Sequence, residues 1–228
     1  MLLAGAMSGY SQGQVYFYGY NTEGSPPSTL HAAIYDVSAG TYSVTYGGYT
    51  VTEQQGDSST ATTPKEDPAA TTVYSGAPLG GSSSTGNAYD AQMLAASGSG
   101  DPLSLLDPVG LVLHFYTTAA NAGFIKGTEV ETLGAYGSTY TIAIAVWDNN
   151  GVDGAASTLA EAQADGYEWG ISNTADDTLT SSATEPPTPM PTTIESFSLG
   201  ISEVPDQLSS GIALSLISAS AFLFRRRK

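Results

Sequence analysis

The stretch Tyr140-Thr-Ile-Ala-Ile-Ala-Val-Trp147 alternates side-chain type with a period of two. So do Val15-Tyr-Phe-Tyr-Gly-Tyr20 and Tyr42-Ser-Val-Thr-Tyr46, the latter continuing through Tyr49-Thr-Val-Thr52. That period belongs to a strand, whose successive side chains point to opposite faces of a sheet. It commits the chain to β-structure before any other property is weighed. Val, Ile, Thr and Tyr suit a pleated surface, and the same reading predicts further strands over 31–37, 88–96, 110–117 and 192–201.

Turn chemistry separates these runs. Ala39-Gly40 and Gly47-Gly48 suit hairpin closures, and Asn149-Asn150-Gly151 follows the strand ending at Trp147 with residues that tolerate positive φ. One helix is expected, from Leu159 to Asp165, because Thr158 and Glu161 form a capping-box pair. Residues 54–72 are Ser, Thr, Pro and acidic residues without apolar period, the pattern of an exposed, mobile insertion. Residues 181–191, with Pro186, Pro187, Pro189 and Pro191, read as a stiff extended connector. The order of elements predicts an all-β fold, an antiparallel β-sandwich with one short helix. The body spans 12–180, its final strand is supplied by 192–201, and a hydrophobic helix follows at the C-terminus.

The chain contains no cysteine, so disulfide staples and thiolate metal sites are excluded and the body depends on an ordinary core. Residues 1–207 carry all 22 acidic groups against only Lys65 and Lys126. Such a surface repels phosphates, which argues against nucleic acid as a partner, and it attracts divalent cations.

The remaining basic residues, Arg225, Arg226, Arg227 and Lys228, end the chain directly after an apolar stretch over 208–224. A helix needs about 17 to 25 apolar residues to span a bilayer, so this stretch lies at the short limit. Ile212, Leu214, Leu216, Ile217, Phe222 and Leu223 surround the helix instead of marking one stripe, which disfavours a soluble amphipathic helix. The basic cluster favours the cytoplasmic side and leaves the acidic body outside. Ahead of the helix stand Val204, Pro205 and Asp206, where proline imposes the extended geometry that a processing enzyme accepts.

This order of Val-Pro-acidic, short apolar helix and terminal Arg run over 204–228 resembles the PEP-CTERM sorting signal of Gram-negative bacteria, in its Val-Pro-Asp variant. Gln207 stands where the common forms have proline or serine. The resemblance implies a protein that is exported, held in the inner membrane by its tail, and processed by an exosortase on its way to the cell surface or extracellular matrix. The body is similar to those ahead of such tails in Verrucomicrobia-like sequences, through Gln14-Val-Tyr-Phe17, Tyr74-Ser-Gly-Ala-Pro-Leu79, Tyr89-Asp-Ala-Gln-Met-Leu94, Ala145-Val-Trp-Asp-Asn-Asn-Gly151, Trp169-Gly-Ile-Ser-Asn173 and Ser196-Phe-Ser-Leu199. That similarity brings no activity with it. An exported chain carries a signal peptide, and residues 1–11 read as the remnant of one: Met1-Leu-Leu-Ala-Gly-Ala-Met7 is apolar and Gly9-Tyr10-Ser11 is a small-x-small pattern, with no basic residue before them. The expectation is a true start upstream of Met1 and a mature end at Gln12.

Residues able to carry chemistry are few. His31 and His114 are the only histidines, and neither lies beside a Gly-x-Ser-x-Gly turn, so no hydrolytic triad is legible and His114 reads as a packed or surface residue. Asp148, Asn150 and Asp153 are the candidate calcium ligands, but Val152 stands where a ligand is needed and the segment reads better as a turn. Trp147 and Trp169 are the candidates for stacking on sugar rings, but Trp147 ends an apolar alternating strand and Trp169 follows the helix, positions that better suit the core or an inter-sheet edge. The leading expectation is an exported, non-enzymatic surface or matrix protein without cofactor. Its partners would be the membrane, an exosortase-like enzyme and extracellular polysaccharide; a carbohydrate-binding module and a secreted hydrolase are the alternatives.

Overall fold

The computed structural model describes residues 12–18, 30, 32–56, 72–82, 86–126, 129–151 and 156–202. Their strands are β1 (Gln12–Phe17), β2 (Ile34–Tyr35), β3 (Tyr42–Tyr46), β4 (Tyr49–Glu53), β5 (Gln55–Gly56), β6 (Tyr89–Ser97), β7 (Asp107–His114), β8 (Glu129–Ala135) and β9 (Thr139–Asp148). After helix α1 (Leu159–Asp165) come β10 (Glu168–Ile171), β11 (Ala175–Thr178), β12 (Ser196–Ser198) and β13 (Gly200–Ile201). The chain is all-β, with mostly antiparallel sheets and one α-helix among the described residues. The expected C-terminal helix over 208–224 lies outside them, and no described helix is long and apolar enough to cross a membrane.

The largest sheet has the order β13-β10-β9-β6-β7, and β11 also pairs with β9. Strand β9 explains why this sheet is central. Ile142, Ile144 and Val146 point into one apolar cluster, while Ala143, Ala145 and Trp147 point into a second on the opposite face. The first cluster is completed by Val15 and Phe17 of β1, Ile34 of β2 and Phe197 of β12; the second by Val44 and Val51, Leu159 and Ala162 of α1, and Trp169 and Ile171 of β10. Both faces of the sheet are therefore covered, which is why its longest strand is apolar at consecutive positions as well as alternating.

Three smaller sheets supply the covers: β1 with β8, β2-β12-β5, and the β3–β4 hairpin. The hairpin turns at Gly47 (φ 59°) and Gly48 (φ 89°), the two positive angles that a type I′ turn requires. Thr158 accepts from the Glu161 N–H and Glu161 reaches back to the N-cap backbone, the expected capping box. The Gln163 side chain then donates to the Tyr46 carbonyl at 3.2 Å, tying α1 to the hairpin.

Several boundaries differ from the sequence reading. Residues 54–56, expected to open a mobile insertion, are ordered: Gln55 is buried, and β5 pairs with β12. Residues 57–71 lie outside the described residues. The proline-rich 181–191 does not stand apart as a connector. The Tyr16 N–H donates to the Thr188 carbonyl and the Thr188 N–H to that of Gln14, so the segment lies along β1, with Met190 buried. Residues 192–201 yield two short strands, β12 and β13, and β12 pairs in parallel with β2. The sequence predicts no strand at β8, β10 or β11: Glu129–Ala135 and Ala175–Thr178 lack apolar alternation and form through pairing with β1 and β9, and the four-residue β10 is fixed by pairing with β9 and β13.

Candidate functional site

Cross-strand register lines up four residues across the central sheet. Trp169 of β10 is opposite Trp147 of β9, Trp147 is opposite Asp90 of β6, and Asp90 is opposite His114 of β7. The row runs from a closed interior to a partly open edge. Both tryptophans are 0% exposed. The Trp147 indole N–H donates to the Ala156 carbonyl at 3.1 Å, whereas the Trp169 indole N–H is buried without a partner. Sugar stacking needs an open ring face, so the glycan reading of Trp147 and Trp169 is corrected: helix α1, the hairpin and their own sheet enclose both rings, and they are core residues.

The outer half of the row is polar. His114 Nδ1 lies 2.7 Å from Asp90 Oδ1, with the Asp90 side chain 7% exposed and that of His114 50% exposed. The Asn149 amide donates to the same Asp90 oxygen at 3.0 Å and to the Asn87 carbonyl at 2.9 Å. Burial raises the Asp90 carboxyl above its ordinary range, and the bonds from Asn149 and His114 work against that rise. An aspartate that accepts from Nδ1–H fixes the imidazole tautomer and leaves Nε2 as the free acceptor. This arrangement orients a base. Among the described residues, however, no serine or threonine hydroxyl hydrogen-bonds His114. Asp90 escaped the sequence reading because it lies 24 positions from His114 and meets it only through the pairing of β6 with β7. His31 lies outside the described residues.

At the end of β9, part of the turn that carries the candidate calcium ligands lies among the described residues. The Asn150 N–H donates to Asp148 Oδ1 at 2.7 Å, Asn150 has φ 61°, and its side chain meets the Tyr167 hydroxyl at 3.1 Å. Asp148 and Asn150 are thus tied into a turn, while Asp153 lies outside the described residues. Asp148 instead belongs to an acidic group that the sequence did not reveal, with Asp36 and Glu168 around the Tyr89 hydroxyl. Burial pushes the Glu168 carboxyl up to about 7, helped by the charges of Asp36 and Asp148 and by a hydrogen bond with Asp36. Burial and these three carboxylates also raise the Tyr89 hydroxyl. No group of three or more His, Cys, Asp or Glu side chains among the described residues is arranged to hold a metal ion.

The sorting residues Val204, Pro205 and Asp206, the basic cluster Arg225, Arg226, Arg227 and Lys228, and the 1–11 segment all lie outside the described residues. Comparison of the chain with protein-family models, with curated proteins and with solved structures finds no match.

Proposed function

We propose that this chain is an exported, non-enzymatic protein of the cell surface or extracellular matrix of a Gram-negative bacterium, held in the inner membrane by its C-terminal tail and processed there by an exosortase. The observation that carries this reading is the order of the tail: Val204-Pro205-Asp206, the apolar 208–224, then Arg225 to Lys228. The last described strand, β13, ends at Ile201, three positions before Val204. The sorting motif therefore follows closely on the body, which we read as an antiparallel sandwich whose middle sheet is covered on both faces. Its acidic surface suits a polysaccharide matrix rich in divalent cations.

Fractionation of the native protein with C-terminal sequencing tests the proposal. Matrix-associated material ending near Pro205 or Asp206 is the expected result. Full-length protein confined to the inner membrane overturns it.

A secreted hydrolase is the second reading, favoured by the single observation that buried Asp90 orients half-exposed His114. It requires turnover by the purified protein on a panel of activated esters, lost in His114→Ala. No turnover across the panel removes it.

A further inference from the structure

Glu53 is the last residue of β4 and is 0% exposed. Its Oε2 accepts the Ile171 N–H of β10 at 3.1 Å, and its Oε1 accepts from the Gln55 amide of β5 at 2.7 Å. The same Gln55 amide donates to the Ile171 carbonyl at 2.9 Å. Strands β4, β5 and β10 belong to three separate sheets, so one carboxyl joins the hairpin, the β2-β12-β5 sheet and the central sheet. The approach depends on Gly170, where a Cβ atom would lie 2.8 Å from Glu53 Oε2.

No basic side chain among the described residues faces this carboxyl. On the same face of β10 as Gly170 stands Glu168, itself bonded to Asp36, and Tyr42 of β3 is the cross-strand partner of Glu53. The neighbouring strands β5, β12 and β13 contain no charged residue. Among the described residues the basic side chains are Lys126 and His114, which meet through their backbones at the β7 edge. A buried carboxylate without a counter-charge is strongly disfavoured. Accordingly burial pushes Glu53 up to about 8, although the bonds from Gln55 and Ile171 pull it down.

Two of the strands that Glu53 joins, β4 and β10, also hold β13, the last described strand. Gly200 of β13 pairs with Trp169 of β10 and packs on β4, where a Cβ atom would meet the Thr52 carbonyl at 2.6 Å and the Val51 side chain at 2.9 Å. We infer that Glu53 is a proton-operated clasp: its neutral carboxyl closes β4 onto β10 with β13 held between them, and its ionisation loosens that seam and frees β13. The folded group lies above its unfolded value, so its contribution is complete below about pH 4.5 and is lost as pH rises through about 8. Release lengthens the accessible chain ahead of Val204. The clasp stands whether or not the tail is sorted.

Hydrogen exchange of the full-length chain in detergent micelles, followed from pH 5 to 9 and corrected for intrinsic rates, tests this. The expected result is a fall of about tenfold in the protection of the β13 amides between pH 7 and 9, most of it below pH 8, because the loss per unit flattens once the folded midpoint is passed. Strands β6 and β9 should keep their protection, and Glu53→Gln should leave only a fall of about twofold, the share of Glu168, which pairs with Ile201 of β13. Unchanged protection in the parent chain overturns the clasp, as does an equal fall in Glu53→Gln. Should that variant fail to fold, the carboxyl ¹³C resonance of Glu53 in the parent chain decides: titration near 8 supports the clasp, and titration in the ordinary glutamate range overturns it.

Discussion

Trp147 and Trp169 occupy opposed positions on neighbouring strands in the same buried layer, yet only Trp147 satisfies its indole N–H. The pair closes the inner end of the polar row and belongs to the same apolar cluster as Leu159 and Ala162 of α1.

This asymmetry predicts unequal effects of the same substitution. Trp147→Phe loses the bond to the Ala156 carbonyl and leaves that oxygen without its donor, whereas Trp169→Phe removes a donor that had no partner. The first should therefore be less stable than the second by about 1 kcal/mol, and replacing either by Ala should cost about 3–5 kcal/mol. Urea denaturation followed by circular dichroism measures the differences; equal losses in the two Phe variants would count against the assignment.

Asp90 and His114 should separate in the same way. Removing Asp90 leaves both the His114 Nδ1–H and the Asn149 amide without their shared acceptor, so Asp90→Ala should destabilise by about 1–3 kcal/mol. His114→Ala removes a half-exposed side chain and should cost less. Denaturation midpoints of the two variants check the ranking, which fails if His114→Ala is the more damaging.

Glu168 gives a pH signature on the acid side of that from Glu53. Its folded value is raised to about 7, above its unfolded value, so its contribution is complete below about pH 4.5 and is lost as pH rises through about 7. The melting temperature should fall across this window, and Glu168→Gln should flatten the fall. Melting curves at half-unit pH steps would refute the assignment if the variant retained the parent slope.

The helix offers a purely local test. Thr158→Ala removes the cap on the Glu161 N–H and should cost about 0.5–2 kcal/mol. Gly166, at φ 77°, ends the helix in the left-handed region, and Gly166→Ala should cost on the order of 1 kcal/mol. Thermal melts of the two variants measure both losses.

Local chemistry was legible in the sequence where it was self-contained. The helix bounds, the capping box and the Gly47-Gly48 hairpin follow from residues within a few positions of one another, and structure and sequence agree on them. Strand β9 was legible because its covering layers demand apolar side chains along its length. What escaped reading depends on register between distant strands: the Asp90–His114 contact, the Asp36–Asp148–Glu168 group and the seating of Glu53 against Gly170. β11 is the plainest example. Ala-Asp-Asp-Thr has no strand signal of its own and is extended because β9 offers it an edge. The tryptophans were legible as core residues from their places at the end of an apolar strand and after the helix, and they are buried; which elements enclose them, α1 and the hairpin, was not.

The parallel pairing of β2 with β12 sets Ile34 against Phe197, at nearly opposite ends of the described chain. Among the described strands, β2 has no other sheet partner. A polypeptide emerging N-terminus first from a ribosome or a membrane channel therefore holds an incomplete sheet until residues near 197 have appeared. Such late closure postpones the last tertiary contacts of this sheet until nearly all of the described chain has emerged.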